Sequence, residues 1–414
     1  MESLGLIGLA VAVITALVSL MVIATIGVKA LRALRASWLK SHYRRIEPAL
    51  EQYILTGLDQ PELERLPSWQ QDLFLSSLMV ERLALLRGAG RDHLMRLAED
   101  LGLVDRALSQ LGSRRRWHRA RAAEKLGYFG GARAAKPLGE LLAAEDDETV
   151  RAVTARSLAR IGTPEAVRIL AGTLGDPSEL TRLRVAENLE RIGHPAVGPL
   201  VDSLAAPDLE AAQPHGAVLA TRVLGNLRAS EAREVLREAA LNASVMDLRA
   251  QAVLALGRIG DPDDVPGLLE AARDESWPVR AQAANALGMI GEVSTIPRLR
   301  ELMSEGEWWV RMNASKALVN MGPAGEEALI EVLRGGDPYA RDRAAATLES
   351  RGFVRRWTRQ LSVEGRRGDR ARTAVSALVE AGTTRHLHDL METLPADEQR
   401  VLRGMLAEEQ EPAK

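Results

Sequence analysis

Ser276 to Asp337 is one pattern written twice. Arg280 is preceded by Val279 and followed by Ala283, Ala286, Leu287 and Ile290 before Gly291; from Arg311 the same offsets give Val310, Ala314, Ala317, Leu318, Met321 and Gly322. Steps of three and four between apolar positions mark one face of an α-helix, and a glycine ends such a helix readily because it enters the left-handed region at little cost. A second apolar-periodic run follows in each copy, Ile296 to Met303 and Glu327 to Leu333, so each copy predicts a helix, a tight turn and a helix. The offset recurs with Arg at 119, 151, 182, 249, 280, 311 and 341 and Gly at 130, 162, 193, 260, 291, 322 and 352, a period of about 31 residues. A hairpin of that size cannot bury both apolar faces alone, so neighbours must stack. The expected fold is all-α, a solenoid of about eight helical hairpins. One unit departs from the pattern: Ala217 stands where Arg is expected and Arg228 where Gly is expected, after an irregular stretch from Ala205 to Gly216 that reads as a tolerated insertion or a hinge.

The consensus D-x-x-V-R…A…A-L-x-x-I-G-D/T-P, seen in Val150-Arg151 to Thr163-Pro164 and Leu248-Arg249 to Asp261-Pro262, resembles the short HEAT-like repeats. Repeats of this kind are also found in phycobilin lyases and in bacterial scaffold proteins. The resemblance covers residues 113–382 and implies a HEAT-like α-solenoid. It does not choose among functions, because sites are grafted onto folds.

The remainder divides around the array. Leu4 to Val28 is uncharged and, at roughly 1.5 Å per residue, exceeds the roughly 30 Å hydrocarbon core of a bilayer, so residues 1–28 are expected to form a short tail and one transmembrane helix. Gly8, Ala12 and Ala16 would give that helix a small-residue face for self-association. Lys29, Arg32, Arg35 and Lys40, with Trp38 at interfacial depth, flank it on the C-terminal side. That asymmetry predicts a bacterial inner-membrane protein with its N-terminus outside and its repeats in the cytoplasm. Residues 29–112 read as a basic juxtamembrane helix and a helical cap, and residues 383–414 as closing helices and a charged tail.

Chemistry is sparse. The chain has no cysteine, which excludes disulfides, thiolate catalysis and sulfur-ligated zinc, and its net charge of −2 gives no global call for nucleic acid. Seven scattered histidines show no metal spacing, and neither a phosphate loop nor a nucleophile elbow is present, so no catalytic, cofactor or metal residue is assigned. The recurrent Arg has a structural reading, its stem covering apolar surface and its guanidinium meeting carbonyls or acids such as Asp147, Glu307 and Asp337.

Two surface signals remain. Aromatics make up only 3% of the chain, yet Trp277 and Trp308 stand three residues before the recurrent Arg, and Trp117, Trp309 and Tyr339 two before it. Large aromatics at a solvent edge anchor protein interfaces; otherwise they lid the seam between repeats. The second signal is the run Arg351, Arg355, Arg356, Arg359, Arg366, Arg367, Arg370 and Arg372, opposed in its own window by Glu364 and Asp369, which suits an acidic protein, lipid headgroups or, at lower rank, nucleic acid.

These features predict a membrane-anchored scaffold that docks a partner protein on the cytoplasmic side, with neither cofactor nor small-molecule ligand. An enzyme or enzyme subunit resembling the bilin lyases is the alternative, and a nucleic-acid-binding repeat protein ranks third.

Overall fold

Each recurrent Arg lies in the first turn of a helix, and the glycine of the same unit lies at or just past that helix's end. Gly162, Gly260 and Gly291 cap their helices in the left-handed conformation. Where the irregular unit replaces this glycine, Arg228 takes the same conformation, with φ of 51°, and it is the sole non-glycine residue to do so among the described residues. The register of the repeat therefore survives its own substitution.

The computed structural model describes residues 41–206 and 213–408 and, among the first forty, Leu20, Met21, Ile23, Thr25, Ile26, Lys29, Ser37 and Trp38. The chain divides into two units, Met1–Thr163 and Pro164–Lys414. The described residues are helical and contain no strand.

The main helices of the first unit are α1 (41–56), α2 (Ser76–Leu83), α3 (Ala89–Asp100), α4 (Leu103–Gln110), α5 (Arg116–Phe129), α6 (Ala135–Ala144) and α7 (Glu148–Ile161). Helix α2 is entered through a π-helical turn at Gln71–Leu75, which leaves main-chain carbonyls open to other donors. Helix α5 uses them: Lys125 Nζ donates to the Asp72 carbonyl at 2.7 Å, and Arg121 Nη2 to the Leu73 carbonyl at 3.2 Å and to Ser77 Oγ at 2.8 Å. On its other side α5 meets α7 at Gly127, where an added Cβ would stand 2.6 Å from Ser157 Cβ.

The second unit comprises α8 (Pro164–Gly172), α9 (Glu179–Ile192), α10 (Val197–Leu204), α11 (Pro214–Asn226), α12 (Arg233–Asn242), α13 (Met246–Ile259), α14 (Val265–Ala271) and α15 (Trp277–Ile290). It continues with α16 (Ile296–Leu302), α17 (Trp308–Asn320), α18 (Pro323–Leu333), α19 (Pro338–Ser350), α20 (Phe353–Thr358), α21 (Arg366–Glu380), α22 (Arg385–Met391) and α23 (Ala396–Glu408). First helices α11, α13, α15, α17 and α19 pack against one another in chain order, with α12, α14, α16 and α18 behind them. Within this unit the hairpins are thus stacked as the repeat requires. The tightest seams are glycine against alanine. A Cβ on Gly257 would lie 2.6 Å from Ala286 Cα, one on Gly288 2.5 Å from Ala317 Cα, and one on Gly225 2.8 Å from Ala255 Cα.

At the α13–α15 and α15–α17 seams the recurrent Arg adds a stitch made with both edges of its guanidinium. Arg249 Nε and Nη2 donate to the Asp274 carboxylate at 2.8 and 3.1 Å, while Nη1 donates to the Ala243 carbonyl at 3.0 Å. Arg280 does the same to Glu305, at 2.8 and 3.0 Å, and to the Asp274 carbonyl at 2.8 Å. Asp274 thus takes one Arg on its side chain and the next on its main chain. In the first unit Arg119 grips Glu145 at 2.6 and 2.7 Å, and Arg151 Nη1 donates to the Glu145 carbonyl at 2.9 Å. The Arg119 guanidinium holds buried Glu145 below the usual carboxylate range. The acids used are therefore not those expected: Asp147 and Asp337 cap their own helices, accepting from Thr149 and Val150 and from Tyr339 and Ala340.

The expected transmembrane element is corrected. Among the described residues no helix is long and apolar enough to cross a membrane, and the single-pass inner-membrane placement falls with it. An apolar stretch is necessary for spanning, but what spans is a continuous apolar helix of about 20 residues, and no described helix has that form. Most of the stretch 4–28, including Gly8, Ala12 and Ala16, lies outside the described residues, as do Arg32, Arg35 and Lys40 in its flank. Lys29 is exposed. Trp38, expected at a headgroup boundary, rests on protein instead, stacked 6.4 Å from Trp69 and edge-on 5.4 Å from Phe74.

Candidate partner-binding groove

Counted from the recurrent Arg, positions −2, +1, +2 and +5 fall on one face of each first helix. In three successive hairpins of the second unit these positions line one groove of ≈ 430 Å³. Position −2 contributes Asp247, Pro278 and Trp309; position +1 contributes Ala250 and Ala281, with Val218 from α11; position +2 contributes Gln251, Gln282 and Asn313. Leu254 and Trp277 complete it. Small residues at +1 open the trough, and the two tryptophans raise its edge.

The structure thus brings Trp277 and Trp309 together, 38% and 51% exposed. Trp308 meets Trp309 edge-on at 4.7 Å between ring centroids and lies under the Arg343 guanidinium, 5.2 Å above its ring. Tyr339, the most exposed of the set, sits under Arg311 at 5.4 Å. Trp117 belongs to the first unit, exposed against His118 beside a small hollow that also holds Arg121 and Lys125. Burial lowers the Lys125 ammonium pKa to about 8.

The basic run is less free than its sequence suggested, because Glu326, thirty residues upstream, reaches into it. This buried carboxylate accepts from Trp357 Nε1 at 3.0 Å and from Arg356 Nη2 at 2.7 Å, and lies 3.5 Å from Arg370 Nη2. Arg372 is taken up by the Leu361 carbonyl and Asp369, at 2.7 and 2.6 Å. Arg351, Arg355, Arg359, Arg366 and Arg367 stay exposed and make no ion pair among the described residues. No group of three or more histidines and acids able to hold a metal occurs among the described residues.

The sequence did not single out the three amides. Their signal was available, since Gln251, Gln282 and Asn313 are spaced 31 residues apart like the Arg itself. Asn313 Nδ2 donates to the Ala281 carbonyl at 2.8 Å, whereas Gln251 Nε2 and Gln282 Oε1 are buried without a partner among the described residues. A larger hollow of ≈ 660 Å³ lies between α10, α12 and α13, floored by Leu204, Val235 and Leu248 and rimmed by Glu231, Glu234 and Glu238. The charged side chains lining both hollows are carboxylates.

The family model for HEAT repeats matches residues 103–190, 135–219, 209–275 and 265–350, together more than half of the chain. The chain belongs to the HEAT-repeat family. No curated protein sequence matches it. Among solved structures, this chain is similar to an engineered protein at 19% identity, covering 82% of this chain and 99% of that one with a TM-score of 0.35. The complex of CpcE and CpcF of phycocyanin lyase from a Nostoc species is 21% identical, covering 60% of this chain and 94% of that one, with a TM-score of 0.29. Human deoxyhypusine hydroxylase in complex with glycerol is 20% identical, covering 60% and 95%, with a TM-score of 0.26. None of these bears on what the groove binds.

Proposed function

We propose that this HEAT-repeat protein is an interaction scaffold whose docking surface is the aromatic edge of α15, α17 and α19. The observation that carries the reading is the pairing of Trp277 and Trp309, half-exposed, in one groove of a chain in which aromatics are scarce. Tryptophans that remain wet on a stacked array bury their area on a partner rather than in their own core. The reading assigns the chain no catalysis and no cofactor. Nucleic acid is a weaker fit, because Glu326 and Asp369 take up three of the eight cations that would meet phosphate.

A photo-crosslinking side chain placed at Trp309 in the full chain tests this in native extracts. A discrete protein adduct is expected, and it should vanish when Trp277→Ala is added while helical circular dichroism is unchanged. If Trp277→Ala and Trp309→Ala instead unfold the chain, the rings are lids on the seam and the scaffold reading loses its surface.

A further inference from the structure

Resting on that reading of the second unit, we propose that the groove between Trp277 and Trp309 takes an extended segment of a partner protein that carries a lysine or arginine. The main chain of the segment is held by Gln251 and Gln282, and its cation lies against Asp247, toward Trp277 on the neighbouring hairpin.

The form of the occupant follows from the amides. Gln251 Nε2 is a donor and Gln282 Oε1 an acceptor, each buried and unpartnered in the lining of one groove. Their terminal torsions are broad, so both amides can turn toward a ligand without leaving the groove. A helical ligand has its own main-chain N–H and C=O groups paired within it and offers these amides nothing. An extended segment presents both groups along its length.

The spacing agrees. Packed helices lie about 8–10 Å apart, and the Gly257–Ala286 and Gly288–Ala317 approaches put α13, α15 and α17 toward the short end. An extended chain advances about 3.3 Å per residue, so each hairpin is crossed in about two to three residues. Amides repeated once per hairpin therefore meet main-chain groups at a regular interval.

The charge of the occupant follows from the lining. Asp247 is the only charged side chain in it, and Trp277 lines the same groove from the adjacent hairpin. A cation satisfies both, through the carboxylate and through the ring quadrupole.

The test uses the full-length chain and fluorescein-labelled ten-residue synthetic peptide pools, random except for one central position fixed as Arg or as Glu. Anisotropy should show the Arg pool binding at least tenfold more tightly than the Glu pool, with quenching of tryptophan emission. N-methylation of the main chain on either side of the Arg should weaken binding about tenfold. Gln251→Leu with Gln282→Leu should weaken it similarly while leaving the unfolding temperature unchanged or higher, since two orphaned amides are removed. Asp247→Asn should erase the preference for Arg. Binding that ignores N-methylation and the amide variants overturns the inference. So does a Trp309 crosslink to a folded protein when neither pool binds, although the docking reading then stands. With neither crosslink nor pool binding, both fail.

Discussion

Between α13, α15 and α17, neighbouring hairpins meet through glycine and alanine, with an Arg gripping an acid of the next turn. Elsewhere the same kind of helix is joined differently. In the first unit α5 reaches the irregular π-turn through Lys125, and in the second α18 meets α20 and α21 through Glu326, both charges buried. The difference teaches what a repeat can and cannot supply. A contact between copies must fit a repeating backbone, so it favours small residues that fit any copy, joined at Arg119, Arg249 and Arg280 by an ion pair to an acid of the next turn. Where the neighbour departs from the common pattern, open carbonyls and indole N–H groups remain, and a long side chain with several bonding positions closes them.

The largest expected effect lies at Glu326. Glu326→Ala strands Trp357 Nε1 in the core and unpairs Arg356 and Arg370, so urea unfolding should show a loss of about 3 kcal/mol. Arg356→Ala alone should lose less than about 1 kcal/mol, because that guanidinium is already half in water. If the glutamate proves as mild as the arginine, the seam is held by something other than the buried charge.

Next come the copy-to-copy seams. Gly257→Ala and Gly288→Ala force a methyl onto a neighbouring backbone and should each lower stability by about 2 kcal/mol. Gly267→Ala in α14, where an added Cβ meets open space, should raise it by about 0.5–1 kcal/mol through helix propensity. Equal outcomes at the two kinds of site would break the claim that close approach, rather than helix propensity, selects these glycines.

The smallest effect sharpens the comparison through pH. Lys125 binds its proton less tightly folded than unfolded, its pKa falling from 10.5 to about 8. The unfolded chain therefore holds more protons between those values, and the contribution of this group to stability rises as pH rises from about 8 to 10.5. At pH 7 Lys125→Met should be about 1 kcal/mol more stable than the parent, because an ammonium is no longer buried. Above pH 10.5 the order should reverse, since the neutral amine still donates to the Asp72 carbonyl and methionine cannot. Chemical denaturation at the two pH values reads the crossing.

Much of the fold was legible. The 31-residue recurrence of Arg and Gly located every first helix that carries them, and the departure at Arg228 was visible as a missing glycine whose left-handed backbone persists. The aromatic offsets named the two rings that share a groove. The apolar stretch before residue 29 misled, because composition reports what a segment could bury and not which helix it builds. Glu326 was invisible for another reason. It lies thirty residues or more from the arginines it neutralises, and a window along the chain counts only neighbours in sequence.

By itself the sequence determined periodicity: where helices start and stop, which face of each is apolar, and which residue types return every 31 positions. Those properties are local, set by helical geometry and the few residues that end a helix. The tertiary structure decided which acid each Arg grips, which glycines bring helices into contact, and which amides line one groove with two tryptophans. Those facts depend on how successive helices are rotated and offset when they pack, and that is settled by the sum of many side-chain contacts rather than by any one stretch of the chain.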